Sequence, residues 1–251
     1  MSKFTDRLSN QDVINLARQQ YETDKRKKLP SVVVALTSLG QIYPEKHPLR
    51  AGTIEMRYMT AYDEDILTNS SYMKQGILFD KLLEAIILTP IKISDIADVD
   101  KFGLILNARI LAYGPDYEVV VKDPQTGNEL NRTINLSSIK PKPINLQPDK
   151  NGEFDYQIDN SVSIKFKLAV SNTTNTVSDL LKTIITQVGE SRDSDIIDNF
   201  IRYEFLALDA KRFRKHVQEM TPDLDLTVEI EGEDGSTFKT GFPIGPELFW
   251  F

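Results

Sequence analysis

The order of apolar and polar residues predicts a chain that mixes short helices with antiparallel β-hairpins. In three places two alternating stretches are separated by turn-forming residues, which is typical of half-buried paired strands. These hairpins are predicted at 117–136, 154–168 and 226–238. The pattern therefore predicts an α+β fold.

Two further strands are predicted at 31–36 and 53–59. On the second, alternate residues should face the core, since successive side chains of a strand point to opposite sides. The predicted inward residues are Ile54, Met56 and Tyr58, and the predicted outward residues are Thr53, Glu55 and Arg57.

Apolar residues at helical spacing predict helices between these strands. One should begin after Thr60, which forms a capping arrangement with Asp63. Two longer helices are predicted over 73–88 and 98–112. In the second of them, Phe102, Ile105 and Ala108 are expected to face the core.

The C-terminal half contains one ambiguous segment and two clearer helices. Residues 180–188 fit either a helix or a strand, and we favour a helix that becomes a strand near Lys182. Helices are also predicted over 194–206 and 209–220, with Ser194 and Asp209 as their caps.

Breaker residues divide the chain into three predicted parts. Three prolines and an Asn-Gly pair between 140 and 152 mark a domain boundary. The predicted parts are an N-terminal helical arm (1–30), an α+β domain (31–145) and a second α+β domain (146–251). The apolar residues of the arm recur at helical spacing, and we expect them to contact a partner: Val13, Leu16 and Tyr21.

Composition narrows the class of protein. The 251 residues are 40% hydrophobic, which is enough for a core. The formal net charge of −7 argues against general or sequence-specific nucleic-acid binding. The absence of cysteine excludes disulfides and thiolate metal sites. With no apolar run long enough to span a bilayer, we expect a soluble protein made and used in a cytoplasm-like compartment.

The sequence contains no convincing catalytic site. His47 and His216 have no neighbours at metal-ligand spacing, and neither a phosphate-binding loop nor a Gly-x-Ser-x-Gly elbow occurs. We therefore predict no catalytic residue, no metal and no cofactor. A weaker alternative is a hydrolase that uses acids such as Asp63 or Asp195.

The C-terminal end is unusually aromatic. A large apolar side chain left in water costs about 1.5–3 kcal/mol, so this end should be buried either on its own domain or in a neighbouring subunit. The residues that we expect to contact a partner are Phe242, Leu248, Phe249, Trp250 and Phe251.

Five stretches together resemble the base-plate hub proteins of T-even-type phages with contractile tails. The stretches are LTSLGQIYP (36–44), IEMRYMTAYDEDIL (54–67), ARILAYGPDY (108–117), LDAKRFRKHV with PDLDL (208–226), and PIG with FW (243–250). The 54–67 stretch is the most specific. Members often carry a Cys-x-x-Cys-like turn in the first hairpin, where this chain has Asp123-Pro124-Gln125-Thr126-Gly127 and can form no zinc knuckle.

This resemblance implies a structural subunit of the tail base plate that binds other tail proteins without a cofactor. The resemblance also implies multiple copies in a symmetric assembly, synthesis in the host cytoplasm and a place in the virion tail. The alternative within the family is a transient hub-assembly chaperone that is absent from the mature virion, and the residues do not separate the two.

Overall fold

The computed structural model describes residues 29–142, 146–158, 162–168, 176–241 and 244–250. The predicted helix of the N-terminal arm, with Val13, Leu16 and Tyr21, lies outside these residues. Within them, the helices are α1 (Ala61–Leu67), α2 (Ser70–Gln75), α3 (Leu78–Ile86), α4 (Asp98–Tyr113), α5 (Val177–Ile184), α6 (Ser194–Asn199) and α7 (Ala207–Met220). The strands are β1 (Ser31–Ala35), β2 (Thr53–Arg57), β3 (Asp116–Lys122), β4 (Glu129–Asn135), β5 (Phe154–Gln157), β6 (Ser163–Phe166), β7 (Ile185–Val188), β8 (Thr227–Glu231) and β9 (Thr237–Gly241).

The strands form small antiparallel sheets, which confirms the α+β prediction. Their orders are β1-β2, β3-β4, β5-β6-β7 and β8-β9. The three predicted hairpins are therefore present, and β7 adds a third strand to the middle one. The alternation predicted these strands because each has one face on the core and one toward solvent.

The face assignment on β2 is wrong at its C-terminal end. Ile54 and Met56 are buried as predicted, but Arg57 is also buried, and Tyr58 lies just past the strand and is 40% exposed. Arg57 is inside because it pairs with Asp63 at the start of α1. The predicted capping arrangement at Thr60 is confirmed.

The single helix predicted over 73–88 is wrong. Gly76 ends α2 in the left-handed conformation, at φ 70°, and a separate helix, α3, follows. Glycine adopts this conformation without the steric cost that a Cβ would add, so it terminates the helix.

The expected inward face of α4 is only partly correct. Ile105 and Ala108 are buried, whereas Phe102 is 46% exposed. This helix is enclosed on most sides, so one stripe does not define its buried face. Its Gly103 lies against the 37–43 loop, and a Cβ there would be 2.2 Å from Thr37 Oγ1.

The region from 176 to 220 has the predicted order of helices and strand, but some of the predicted ends are wrong. A helix does give way to a strand, at Ile184–Ile185 instead of Lys182. The N-caps of α6 and α7 are Asp193 and Leu206, not Ser194 and Asp209. The predicted helix 194–206 is helical as far as Glu204, since a π-helical turn at Phe200–Glu204 directly continues α6.

Buried apolar side chains from both halves of the described chain form one connected core. The proline-rich segment contacts both halves: Pro141 bridges Leu224, and Glu45 N–H donates to Lys150 O. The domain boundary at 140–152 remains a prediction. No helix among the described residues is long and apolar enough to cross a membrane.

Candidate functional site

The C-terminal segment 244–250 is the part of the predicted partner-binding set that the structure describes most fully. A 3-10 helix, Pro246–Phe249, places Leu248 and Phe249 inside the chain, where both are buried. The Phe249 ring lies 6.5 Å from the ring of Phe79 and meets Tyr113 edge-on at 6.4 Å. These two predicted contact residues therefore pack on α3 and α4 of their own chain.

Arg109, on α4, holds this segment in place. Its Nε donates to Leu248 O at 2.7 Å and its Nη1 donates to Gly114 O at 2.9 Å. The guanidinium also lies over the rings of Tyr113, at 5.1 Å, and Tyr117, at 5.8 Å. Burial lowers the pKa of Arg109. Charge-assisted hydrogen bonds of this kind are stronger than neutral ones, so the segment has a firm attachment.

Trp250 is the exposed member of the set. Its backbone N–H donates to Glu247 O at 3.1 Å, and its side chain is 41% exposed. An indole beside a firmly attached pair of buried residues is preorganised, which reduces the entropy lost when a partner covers it. Phe242 and Phe251 lie outside the described residues.

The tips of two hairpins meet at a buried aspartate that the sequence did not single out as functional. Asp123 accepts hydrogen bonds from the N–H groups of Gln125 (2.8 Å), Thr126 (3.1 Å) and Glu233 (3.1 Å). These N–H groups hold its pKa below the usual range. A Cβ at Gly232 would come within 3.0 Å of Asp123 Oδ2, so the close approach suits glycine. Hydrogen bonds thus stabilise the turn at 123–127.

The acids of the hydrolase alternative do not converge in the structure. Asp63 accepts from Arg57 Nη1 at 2.6 Å and from Arg57 Nη2 at 2.8 Å, and it is buried. Burial raises its pKa, but Arg57 and the Thr60 N–H outweigh that effect and hold the pKa below its ordinary value. Asp195 is exposed in the first turn of α6.

Asp100, on α4, is a carboxyl group whose pKa is raised, and burial is the cause. It accepts hydrogen bonds from Ser38 N–H (2.7 Å), Ser38 Oγ (2.8 Å) and Tyr43 OH (2.7 Å). The Tyr43 hydroxyl in turn accepts from Ala97 N–H at 3.0 Å. The pattern YP at 43–44 carried no signal that its tyrosine is buried against an acid. The group fixes the 37–43 loop on α4.

Two surface grooves are further candidate sites. The larger, about 960 Å³, runs between α4, α5 and α7, with Phe102, Leu180 and Val217 among its lining residues. The smaller, about 520 Å³, lies beside α3. The described residues include no group of three or more His, Asp or Glu side chains placed to hold a metal ion.

Comparison with known proteins defines the class as phage tail base-plate proteins. The family model described as "T4 bacteriophage base plate protein" matches residues 32–240. The match covers most of the chain, so the chain belongs to this family. Comparison with curated proteins and with solved structures gives no significant match.

Membership gives the chain a structural role in the base plate of the virion tail, where it interacts with other tail proteins. The matched range excludes the first 31 residues and everything after 240. Both sets of predicted partner-contact residues lie in these flanking segments. Arg109, by contrast, lies within the match and connects the family region to the C-terminal segment.

Proposed function

We propose that the chain is a non-catalytic structural subunit of the hub region of the base plate. The family match over residues 32–240 is the observation that carries this proposal. The chain acts by binding other tail proteins, in several copies within a symmetric assembly, and uses no cofactor or small-molecule substrate.

The C-terminal segment supports a specific contact within that role. Arg109 and the buried Leu248 and Phe249 attach the segment, and Trp250 beside them offers an exposed aromatic surface. Tryptophan is among the residues that most often dominate interface energies, with effects of about 2–4 kcal/mol when truncated. We propose that Trp250 inserts into a neighbouring tail protein, and that Phe242 and Phe251 contribute to the same contact. The arm residues Val13, Leu16 and Tyr21 form a second proposed contact.

Complementation tests the Trp250 contact. A phage that encodes this chain and carries a nonsense mutation in its gene is supplied with the Trp250→Ala variant. We expect a loss of at least tenfold in infectious particles, with an unchanged thermal midpoint of the purified variant. The matched control is Tyr62→Ala, since Tyr62 is 77% exposed on α1 and its loss should leave assembly normal. Normal assembly by Trp250→Ala would refute the contact.

Mass spectrometry of purified virions tests the subunit role itself. A structural subunit is present at a fixed ratio to other base-plate proteins. Absence of the chain from mature particles would instead assign it to the transient hub-assembly chaperones.

A further inference from the structure

On its outer side, β1 pairs with no strand among the residues that the structure describes. Tyr58 N–H donates to Pro30 O, and Leu36 N–H donates to Gly52 O, at the two ends of the β1–β2 ladder. Because hydrogen-bonding residues alternate along an antiparallel pair, the even-numbered residues of β1 face β2. The N–H and C=O groups that point the other way belong to Ser31, Val33 and Ala35.

The opposite edge of the same sheet, formed by β2, differs because its Glu55 makes hydrogen bonds to the segment after α3. Glu55 O accepts from Leu88 N–H at 2.9 Å, and Glu55 N–H donates to Thr89 Oγ1 at 2.9 Å. On the β1 side, by contrast, the sheet ends with β1 itself, since the described strands of this sheet are β1 and β2. The odd-numbered residues of β1 are exposed, with Val33 at 64%.

Other hairpin edges of the described chain carry charges that oppose pairing with another chain. Glu118 and Lys122 flank the exposed Val120 on β3, Glu229 lies on β8, and Lys239 lies on β9. Charged residues at a strand edge are a common protection against intermolecular pairing. β1 has neither a charge nor a proline within its five residues. Within the described part of the chain, the outer edge of β1 is therefore unpaired, and the strand carries no charge or proline that would oppose pairing.

We propose that β1 pairs with β1 of a second copy of this chain, in antiparallel orientation and centred on Val33. The strand reads Ser-Val-Val-Val-Ala, so its side-chain sizes are nearly the same in both directions. Pairing about Val33 sets Val33 opposite its own copy and Ser31 opposite Ala35. No like charges face each other, and about six N–H···O bonds form between the two copies. The result is a four-stranded sheet with two-fold symmetry.

This contact is small and goes beyond the Trp250 contact proposed above. One strand pair buries far less than the roughly 1,200 Å² of a stable interface. Self-association in dilute solution is therefore weak, and it becomes significant where copies are held at high local concentration, as in a base plate.

The absence of cysteine allows a direct test with the full chain. In a hydrogen-bonded antiparallel pair the Cα atoms lie about 5.5 Å apart, within the range that a disulfide spans. We expect the Val33→Cys variant to form a disulfide-linked dimer on mild oxidation, seen by non-reducing electrophoresis. The matched control is Val120→Cys, since Val120 is 66% exposed on a charge-flanked edge. At least tenfold more dimer from Val33→Cys is the expected result, and equal yields would overturn the proposal.

A second pair of variants tests the register. Ser31 and its own copy are about 14 Å apart in the proposed pairing, which is beyond disulfide reach. Ser31→Cys alone should therefore form no disulfide-linked dimer. A mixture of Ser31→Cys and Ala35→Cys should form a disulfide between the two different variants. Cross-linking of Ser31→Cys to itself at the same yield would indicate random collision and refute the pairing. The test uses no other tail protein, so its failure is separable from failure of the Trp250 contact.

Discussion

Two buried carboxyl groups in this protein have opposite pKa shifts. Asp63 and Asp100 are both fully buried, and burial raises the pKa of each. At Asp63 the guanidinium of Arg57 adds a positive charge, and the pKa falls below its ordinary value. At Asp100 the partners are hydroxyl and N–H groups of Ser38 and Tyr43, and burial prevails.

The difference indicates that neutral hydrogen-bond donors can occupy the oxygens of a buried carboxyl group without bringing its pKa back to the ordinary value. A raised carboxyl pKa is often a sign of a catalytic group. Here the Asp100 oxygens are occupied by donors from the 37–43 loop, and the side chain is inaccessible to solvent. Both acids therefore act in holding loops and helices together, which agrees with a structural role for the family.

The largest expected effect comes from removing the charge that distinguishes the two sites. Arg57→Met leaves Asp63 buried without its guanidinium, and we expect a loss of about 3–5 kcal/mol in the free energy of unfolding. Urea denaturation measures it. The control is Lys81→Ala, because Lys81 pairs with Glu84 at the surface and should contribute no more than about 1 kcal/mol. A loss below about 1 kcal/mol for Arg57→Met would contradict this account of the pair.

Removing one hydroxyl from the other site should have a smaller but clear effect. Tyr43→Phe deprives Asp100 of a donor and the Ala97 N–H of its acceptor. We expect a loss of about 1–3 kcal/mol in the free energy of unfolding, since buried polar groups are left without partners. The exposed Tyr62→Phe variant should change it by less than about 0.5 kcal/mol. An equal result for the two variants would show that the Asp100 group is not stabilising.

The contributions of Asp63 and Asp100 to the free energy of unfolding should depend on pH in opposite directions. Because the pKa of folded Asp63 is lowered, its contribution to stability is present above the unfolded pKa of about 3.9 and is lost as the pH falls through the folded pKa. Because the pKa of folded Asp100 is raised, the folded state binds the proton more tightly. Its contribution is therefore greatest below the unfolded pKa and declines as the pH rises toward the folded pKa.

Asn variants isolate each contribution. Between pH 3 and 6, the unfolding free energy of wild type minus that of Asp63→Asn should increase with pH. The same difference for Asp100→Asn should decrease with pH. Slopes of the same sign would contradict the assignment of opposite shifts. Urea midpoints measured in parallel across this range provide the readout.

The sequence predicted the strands well because alternation reports one buried and one solvated face. The sequence pattern gave the wrong buried face where tertiary contacts, and not the local periodicity, decide which side chains are buried. A helical stripe predicts Phe102 in the core, but α4 is enclosed by other elements on most sides and the stripe does not define its buried face. The alternation predicts Arg57 on the solvent side, because a charged residue on such a strand is usually solvated, and its pairing with Asp63 reverses that expectation.

The sequence was enough to identify the residues of the C-terminal site, but not to predict how they pack. The cluster of aromatic residues at the C-terminal end indicates that Leu248, Phe249 and Trp250 should be buried against protein. Which of them pack on the chain depends on Arg109, 139 positions before Leu248, and no local pattern links the two. The Gly76 break, in contrast, had an available signal, because glycine commonly ends helices.

The smallest effect is expected where a hydroxyl is removed from the acid that has a cation. Thr60 Oγ1 donates to Asp63 Oδ2 at 2.9 Å, alongside the Thr60 N–H at 2.8 Å. In Thr60→Ala the guanidinium and the N–H remain, so we expect a loss of about 0.5–1 kcal/mol in the free energy of unfolding, typical of a lost helix cap. Thr60→Ser retains the hydroxyl and should be close to wild type in the same urea titration. If Thr60→Ala lost as much stability as Tyr43→Phe, then a nearby cation would not lessen the dependence of a buried carboxylate on its neutral donors.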